Sequence, residues 1–184
     1  MITSQYKLLT NNTPLTFTDG TDIYQKLAQN VKTHNNGYFI LAPSGAGKTH
    51  YVKSQAQPDW LDGDELWSAT KALPEGEWWN EPLELIFEIE RRCDVITEQA
   101  KRYGFWIIGA SDRSLKPDAI VIPNWMTHKK WIAAREAINY DGGATTAQLS
   151  QVLNHRREIA LWRKQNVPQF ATVESAAVYL ASVR

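Results

Sequence analysis

The stretch with the densest chemistry is Tyr38-Phe39-Ile40-Leu41-Ala42-Pro43-Ser44-Gly45-Ala46-Gly47-Lys48-Thr49. Apolar and aromatic residues run straight into a loop of small residues that ends Gly-Lys-Thr. Successive backbone N–H groups of Ser44 to Lys48 can wrap an anion only where no side chain intervenes, and Gly45, Ala46 and Gly47 leave that opening. Lys48 can reach the outer phosphates of a bound polyphosphate, and the Thr49 hydroxyl suits Mg²⁺. A helix starting here adds about half a positive charge at its N-terminus. Pro43, Ser44, Gly45, Ala46, Gly47, Lys48, Thr49 and His50 form the candidate nucleotide-binding set. The competing reading is an ordinary glycine-rich turn.

A second candidate is Asp62-Gly63-Asp64, which follows the short apolar run Trp60-Leu61. Two carboxylates at a strand end can hold Mg²⁺ through water or take a proton from an attacking hydroxyl. Asp62, at the strand end, is assigned the catalytic and metal-side role together with Thr49. Asp64, past the glycine, is assigned to the acceptor. The plainer reading is an Asp-Gly turn with Asp64 capping the next helix. Four tryptophans flank this loop. Trp60 reads as core, whereas Trp67, Trp78 and Trp79 are candidate stacking faces for an acceptor, against the alternative of a small aromatic core.

The elements that must position these groups alternate between strand and helix. Strands are expected at residues 38–41, 60–62, 105–109, 119–122 and 167–172, and helices after the glycine-rich loop, at 65–72, 81–103, 127–138, 147–164 and 173–183. In the 81–103 helix, Leu83, Ile86, Phe87, Glu90, Cys93, Asp94 and Ile96 trace the apolar stripe. In the 127–138 helix, Trp131, Ala134 and Ile138 are expected inward. Helix 147–164 has a basic face with Arg156, Arg157, Arg163 and Lys164, on which Arg156 and Arg163, seven apart, lie together; its plainer reading is a solvated face paired with Glu158. Residues 1–20 read as a small hairpin and 22–32 as a helix. This alternation predicts βαβ units and a parallel sheet.

Composition narrows the classes. The chain has 184 residues, enough for one α/β domain with an appendage. Lysine plus arginine equals aspartate plus glutamate, at 20 each, so no large basic surface for duplex DNA is demanded. The single cysteine, Cys93, cannot form an internal disulfide and reads as a half-buried helix residue. His34, His50, His128 and His155 show no ligand spacing and read as surface residues. No apolar run is long enough to cross a bilayer and residues 1–12 lack a signal-peptide core, so an intracellular protein is expected.

The loop at residues 42–49 resembles the Walker A motif of P-loop nucleotide-binding proteins, with Ala42 where the first glycine usually stands. With Asp-Gly-Asp after the second strand, the chain resembles the P-loop small-molecule and nucleotide kinases, which include gluconate, shikimate, adenylylsulfate and nucleoside kinases. Ile108-Gly109-Ala110-Ser111-Asp112-Arg113 is similar to the Ser-Ala loop of gluconate-type kinases, and it adds Asp112 and Arg113 to the acceptor candidates. Unlike motor ATPases and switch GTPases, the strand at 105–109 ends in Gly-Ala-Ser, with Asp112 three residues late.

The resemblance covers most of residues 37–184 and leaves 1–36 as an appendage. It implies a three-layer α/β P-loop NTPase fold around a parallel sheet of about five strands, with a lid at about 139–165 containing Asp141-Gly142-Gly143. It further implies a kinase that uses ATP and Mg²⁺, with Lys48, Asp62, Arg156 and Arg163 catalytic. The acceptor expected is a nucleoside, nucleotide or modified pyrimidine. A sugar acid or polyol, a hydroxyl on a polynucleotide, and an ATPase module without acceptor are the alternatives.

Overall fold

The computed structural model describes residues 36–54, 60–74, 76–102, 104–139 and 143–183. The expected hairpin and helix of residues 1–32, and residues 140–142 of the expected lid, lie outside the described residues.

Five strands form one parallel sheet: β1 (Tyr38–Leu41), β2 (Trp60–Asp62), β3 (Trp106–Gly109), β4 (Ala119–Val121) and β5 (Gln169–Phe170), in the order β2-β3-β1-β4-β5. Among the described residues, six α-helices surround it: α1 (Lys48–Ser54), α2 (Gly63–Ala69), α3 (Leu83–Arg102), α4 (Trp125–Ala137), α5 (Leu149–Ala160) and α6 (Val173–Ser182). β1 lies at the centre because all four of its residues are apolar or aromatic and buried, which only a strand covered on both faces requires. Its side chains alternate between two cores. Phe39 and Leu41 join Trp67, Ile89, Cys93, Ile96 and Ile159 on one side. Tyr38 and Ile40 join Trp60, Trp106, Ala176 and Leu180 on the other. The protein is thus α/β, with a five-stranded all-parallel sheet and helices on both faces.

The sheet order places a switch point at β1. The chain leaves β1 for β2, returns to β3 beside β1, then crosses to β4 on the other side. In such sheets ligands bind outside the carboxyl ends of the strands at that point.

Three helix faces differ from the sequence expectation. α3 buries Ile89, Cys93, Ile96 and Ala100, while Leu83 and Phe87 stay exposed. A helix of 20 residues is about 30 Å long and outruns strands of about 13 Å, so its first turns miss the sheet. Cys93 is fully buried, deeper than expected. In α4 the buried residues are His128 and Ile132, not Trp131, Ala134 and Ile138, which are exposed. The helix buries only the i,i+4 pair His128 and Ile132, so its apolar residues do not reveal the contact face. The 147–164 helix is interrupted: 3₁₀ turns at Thr146–Gln148 and Leu161–Gln165 flank α5. The tighter winding rotates residue 163 away from the row of Arg156. Arg156 sits in the buried row with Val152 and Ile159, and Leu161 is exposed. Thr172 caps α6, its hydroxyl accepting from Ser175 N–H.

Candidate functional site

The glycine-rich loop leaves β1 and turns directly into α1. Gly45 and Gly47 have φ of 81° and 90°, values that favour glycine. At Gly45 a second constraint applies, because an added Cβ would lie 2.6 Å from Ile132 Cγ1. The loop closes on itself through Ala46 N–H to Pro43 O at 3.2 Å, and Lys48 Nζ folds back across it to Pro43 O at 3.4 Å. Lys48 is buried, so its ammonium is held over the loop and does not sweep through solvent. His50, one turn into α1, is exposed.

Asp62 links the two strand ends. One of its carboxylate oxygens accepts from the Thr49 hydroxyl at 2.7 Å, and the other accepts from Asp64 N–H at 3.0 Å as the N-cap of α2. Capping therefore falls to Asp62 and not to Asp64. The Thr49–Asp62 pair is two hard oxygen donors side by side, which fits Mg²⁺, an ion that takes one or two protein oxygens and completes its shell with water and phosphate. Among the described residues, no group of three or more His, Cys, Asp or Glu side chains is arranged to hold a metal on its own.

Asp64 lies in the first turn of α2. Its surface is exposed, yet enough protein surrounds its carboxyl that desolvation raises it above the ordinary carboxylate range; Lys48 opposes the shift and Asp62 adds to it. The raised direction comes from the protein packed around the carboxyl, not from burial of the whole residue.

A second set of contacts reaches the loop from behind. His128 Nε2 lies 2.8 Å from Ser44 O, and Arg156 Nη1 lies 2.8 Å from His128 Nδ1. Arg156 Nη2 donates to Pro123 O at 2.7 Å, and its guanidinium lies 5.2 Å from the Trp125 ring centroid. The Ser44 hydroxyl accepts from Ala144 N–H at 2.9 Å, while Arg135 holds Ala144 O at 2.7 Å. His128 is fully buried, contrary to the surface position expected, and burial together with nearby Arg156, Lys48 and Arg135 lowers its pKa to about 4. His155 is also not a simple surface residue: it hydrogen-bonds the Ala110 backbone, and desolvation lowers it to about 4.

Beyond the end of β3 the groups change character. Asp94 of α3 accepts from the backbone N–H groups of Arg113, Ser114 and Leu115, which fixes the loop after β3. Asp112 accepts from Trp162 Nε1 at 2.9 Å. The Arg113 guanidinium lies 3.6 Å from the Phe87 ring centroid. Glu90 and Asp112 are each pushed up to about 7, chiefly by burial and then by neighbouring acids that include Asp94 and Glu158. Ser111 is buried, with its hydroxyl beside the Cys93 thiol.

Two expectations need correction. Trp67 cannot meet an acceptor: it is fully buried, its indole N–H donates to Thr97 Oγ1 at 2.9 Å, and its ring fills the space over Gly63 and Gly109. Arg156 and Arg163 do not share a catalytic face. Arg156 is bound into the protein behind the loop, and Arg163 is exposed on the 3₁₀ turn, donating to Ala160 O. Trp78 is half-buried against the core and Trp79 is 42% exposed, their rings 6.0 Å apart edge to face. Trp60 is core, against Trp106 at 5.0 Å.

The sequence reading passed over Glu90, Asp94 and His128 as functional positions. The signal for the acids was present, because two carboxylates inside an apolar stripe need a buried purpose. Comparison of the chain with protein families, with curated proteins and with solved structures finds no match.

Proposed function

We infer that the protein is a P-loop kinase that transfers the γ-phosphoryl group of ATP, with Mg²⁺, to a hydroxyl of a small acceptor such as a nucleoside, nucleotide or modified pyrimidine. The observation that carries this reading is the coupling of the glycine-rich loop to the second strand through the Thr49–Asp62 hydrogen bond of 2.7 Å. It brings the glycine-rich loop, Lys48 and a pair of hard oxygens together at the carboxyl end of the central strand, which supports a phosphate and Mg²⁺ site there.

Each group then has one task. The loop amides and Lys48 bind the phosphates. Thr49 and Asp62 would hold the Mg²⁺, which supplies charge neutralisation for the phosphates. Asp62 has both oxygens engaged, so the proton acceptor in this reading is Asp64, whose crowded carboxyl has the raised proton affinity a base needs. The acceptor oxygen attacks the γ-phosphorus, the bond to the β–γ bridging oxygen breaks, ADP leaves, and the hydroxyl proton passes to Asp64. Glu90, Asp112 and Arg113 lie on the acceptor side. Carboxyls near neutrality can donate as well as accept, which suits an uncharged polar acceptor such as a base edge or a polyol.

A polynucleotide acceptor is a second reading, favoured by one observation. Arg157, Arg163 and Lys164 line an open recess of about 520 Å³ with Ala160 and Leu161, beside the turn that carries Trp162. Incubation with γ-labelled ATP and a panel of nucleosides, nucleotides, polyols and oligonucleotides tests both. Label on an acceptor supports the kinase and names its class. Free phosphate alone, with every acceptor, overturns it in favour of an ATPase.

A further inference from the structure

We propose that His128 and Arg156 are positioning residues that prevent a peptide flip in the phosphate loop. This rests on the nucleotide-binding reading above and goes beyond it. The Ser44 carbonyl and the Gly45 N–H share one planar trans peptide, so they point in opposite directions. With Ser44 O held by His128 at 2.8 Å, the Gly45 N–H is aimed away from α4, where the nucleotide-binding reading needs a donor. Gly45 has φ of +81°, and glycine crosses between positive and negative φ without steric penalty, so nothing in the residue itself opposes rotation of this peptide. A flip would turn a carbonyl oxygen toward a polyphosphate in place of a donor.

The direction of the hydrogen bond follows from Arg156. A guanidinium has only donors, so His128 Nδ1, 2.8 Å from Arg156 Nη1, must accept. That leaves the ring proton on Nε2, facing Ser44 O, the one tautomer that can hold the carbonyl. Arg156 is itself fixed by Pro123 O at 2.7 Å and by the Trp125 ring. The charged groups that face the imidazole are Arg156 of α5, Lys48 of α1 and Arg135 of α4, all cationic, so the ring stays neutral at physiological pH. An arginine expected to stabilise the transferring group instead acts two hydrogen bonds away from it, by setting a tautomer.

The test joins nucleotide binding with a readout of the tautomer. In the wild-type protein, ¹⁵N-detected histidine NMR should show His128 as the Nε2–H form, neutral down to about pH 4. Arg156→Ala should let both tautomers populate. ADP binding by calorimetry should weaken about tenfold or more in His128→Ala, the size of one lost hydrogen bond to an anion, and recover in His128→Gln, whose amide can still donate to Ser44 O. Arg156→Ala should weaken it less. A wild-type ring carrying its proton on Nδ1 overturns the proposal without any variant, so it stays open to refutation even where His128→Ala does not fold. Equal ADP affinity in wild type, His128→Ala and Arg156→Ala overturns the positioning role alone. A wild-type protein that binds no ADP overturns the nucleotide reading and the use assigned to the pair with it.

Discussion

On the side that the kinase reading gives to the phosphates, one continuous run of eight residues makes the loop, and short hydrogen bonds fix it from three directions: Thr49 to Asp62, His128 to Ser44 and Ala144 to Ser44. On the acceptor side the groups come from far apart in the chain. Glu90 and Asp94 lie on α3, Asp112 and Arg113 on the loop after β3, and Trp162 on the turn after α5. In the kinase reading the first region would bind by backbone amides, whose geometry one local sequence can specify. The second would bind by side chains, two of whose acids are pushed up to about 7 chiefly by burial. One side would then take a group common to all nucleotides, the other a particular molecule.

The largest expected effect lies on the phosphate side. Lys48→Ala should lower turnover about 10³-fold, since it removes a cation held over the loop. Lys48 is buried, so the variant also loses its bond to Pro43 O, and circular dichroism should accompany the kinetics. Turnover within threefold of wild type would detach the loop from the reaction.

Next come the two acids that join the regions. Asp64→Asn should drop kcat by about 10² or more while leaving ATP affinity near wild type, as removal of a general base does. Asp62→Asn should instead weaken the Mg²⁺ dependence with little change in stability, because an asparagine oxygen can still accept from Asp64 N–H and cap α2. The kcat–pH profile sharpens the distinction. Asp64 must be ionised to accept a proton and its pKa is raised, so activity should fall with acid at a pH above the ordinary carboxylate range. A full kcat in Asp64→Asn together with a lost kcat in Asp62→Asn reverses the two roles.

These assignments show what sequence alone could carry. The central strands are legible because β1, β3 and β4 are short apolar runs bounded by turn residues, and β1 runs into a loop whose Gly45 and Gly47 have a backbone reason to be glycine. Which face a helix buries was legible for α6, whose small apolar residues lie on one side. It was not legible for α4 or α5, where buried polar residues, His128 and Arg156, hold the contact and apolar ones, Trp131 and Leu161, lie outside. Periodicity assumes that apolar means inward, and it fails where an element docks through a hydrogen bond. Trp67 failed differently: its neighbours in sequence flank the site, but its indole is consumed by Thr97.

The acceptor side should respond to pH more than to truncation. Glu90 and Asp112 have folded pKa values near 7, well above their unfolded values, so their contribution to stability is fully present below about pH 4 and is lost as pH rises through 7. Glu90→Gln and Asp112→Asn should therefore raise the melting temperature at pH 8 by about 2–4 °C each, with little change at pH 5. Asp112→Asn retains an oxygen for Trp162, which keeps that contact out of the comparison. Melting curves at the two pH values that move in parallel would mean the acids are solvated in the folded state.

The smallest effect expected is at Arg163. Its guanidinium is exposed, it donates only to Ala160 O on its own turn, and no acid pairs with it among the described residues. A charge in that position is screened by solvent and contributes little to stability. Arg163→Ala should leave the melting temperature and the kcat for a small acceptor unchanged. The open recess it shares with Arg157 and Lys164 could still follow a phosphate backbone. If the acceptor is part of a polynucleotide, Arg163→Ala combined with Lys164→Ala should raise the oligonucleotide KM about tenfold and flatten its dependence on salt, while ATP KM stays fixed. A kcat loss with a small acceptor would instead bring Arg163 into the crevice on closure, and would make α5 a moving part shared by the two regions.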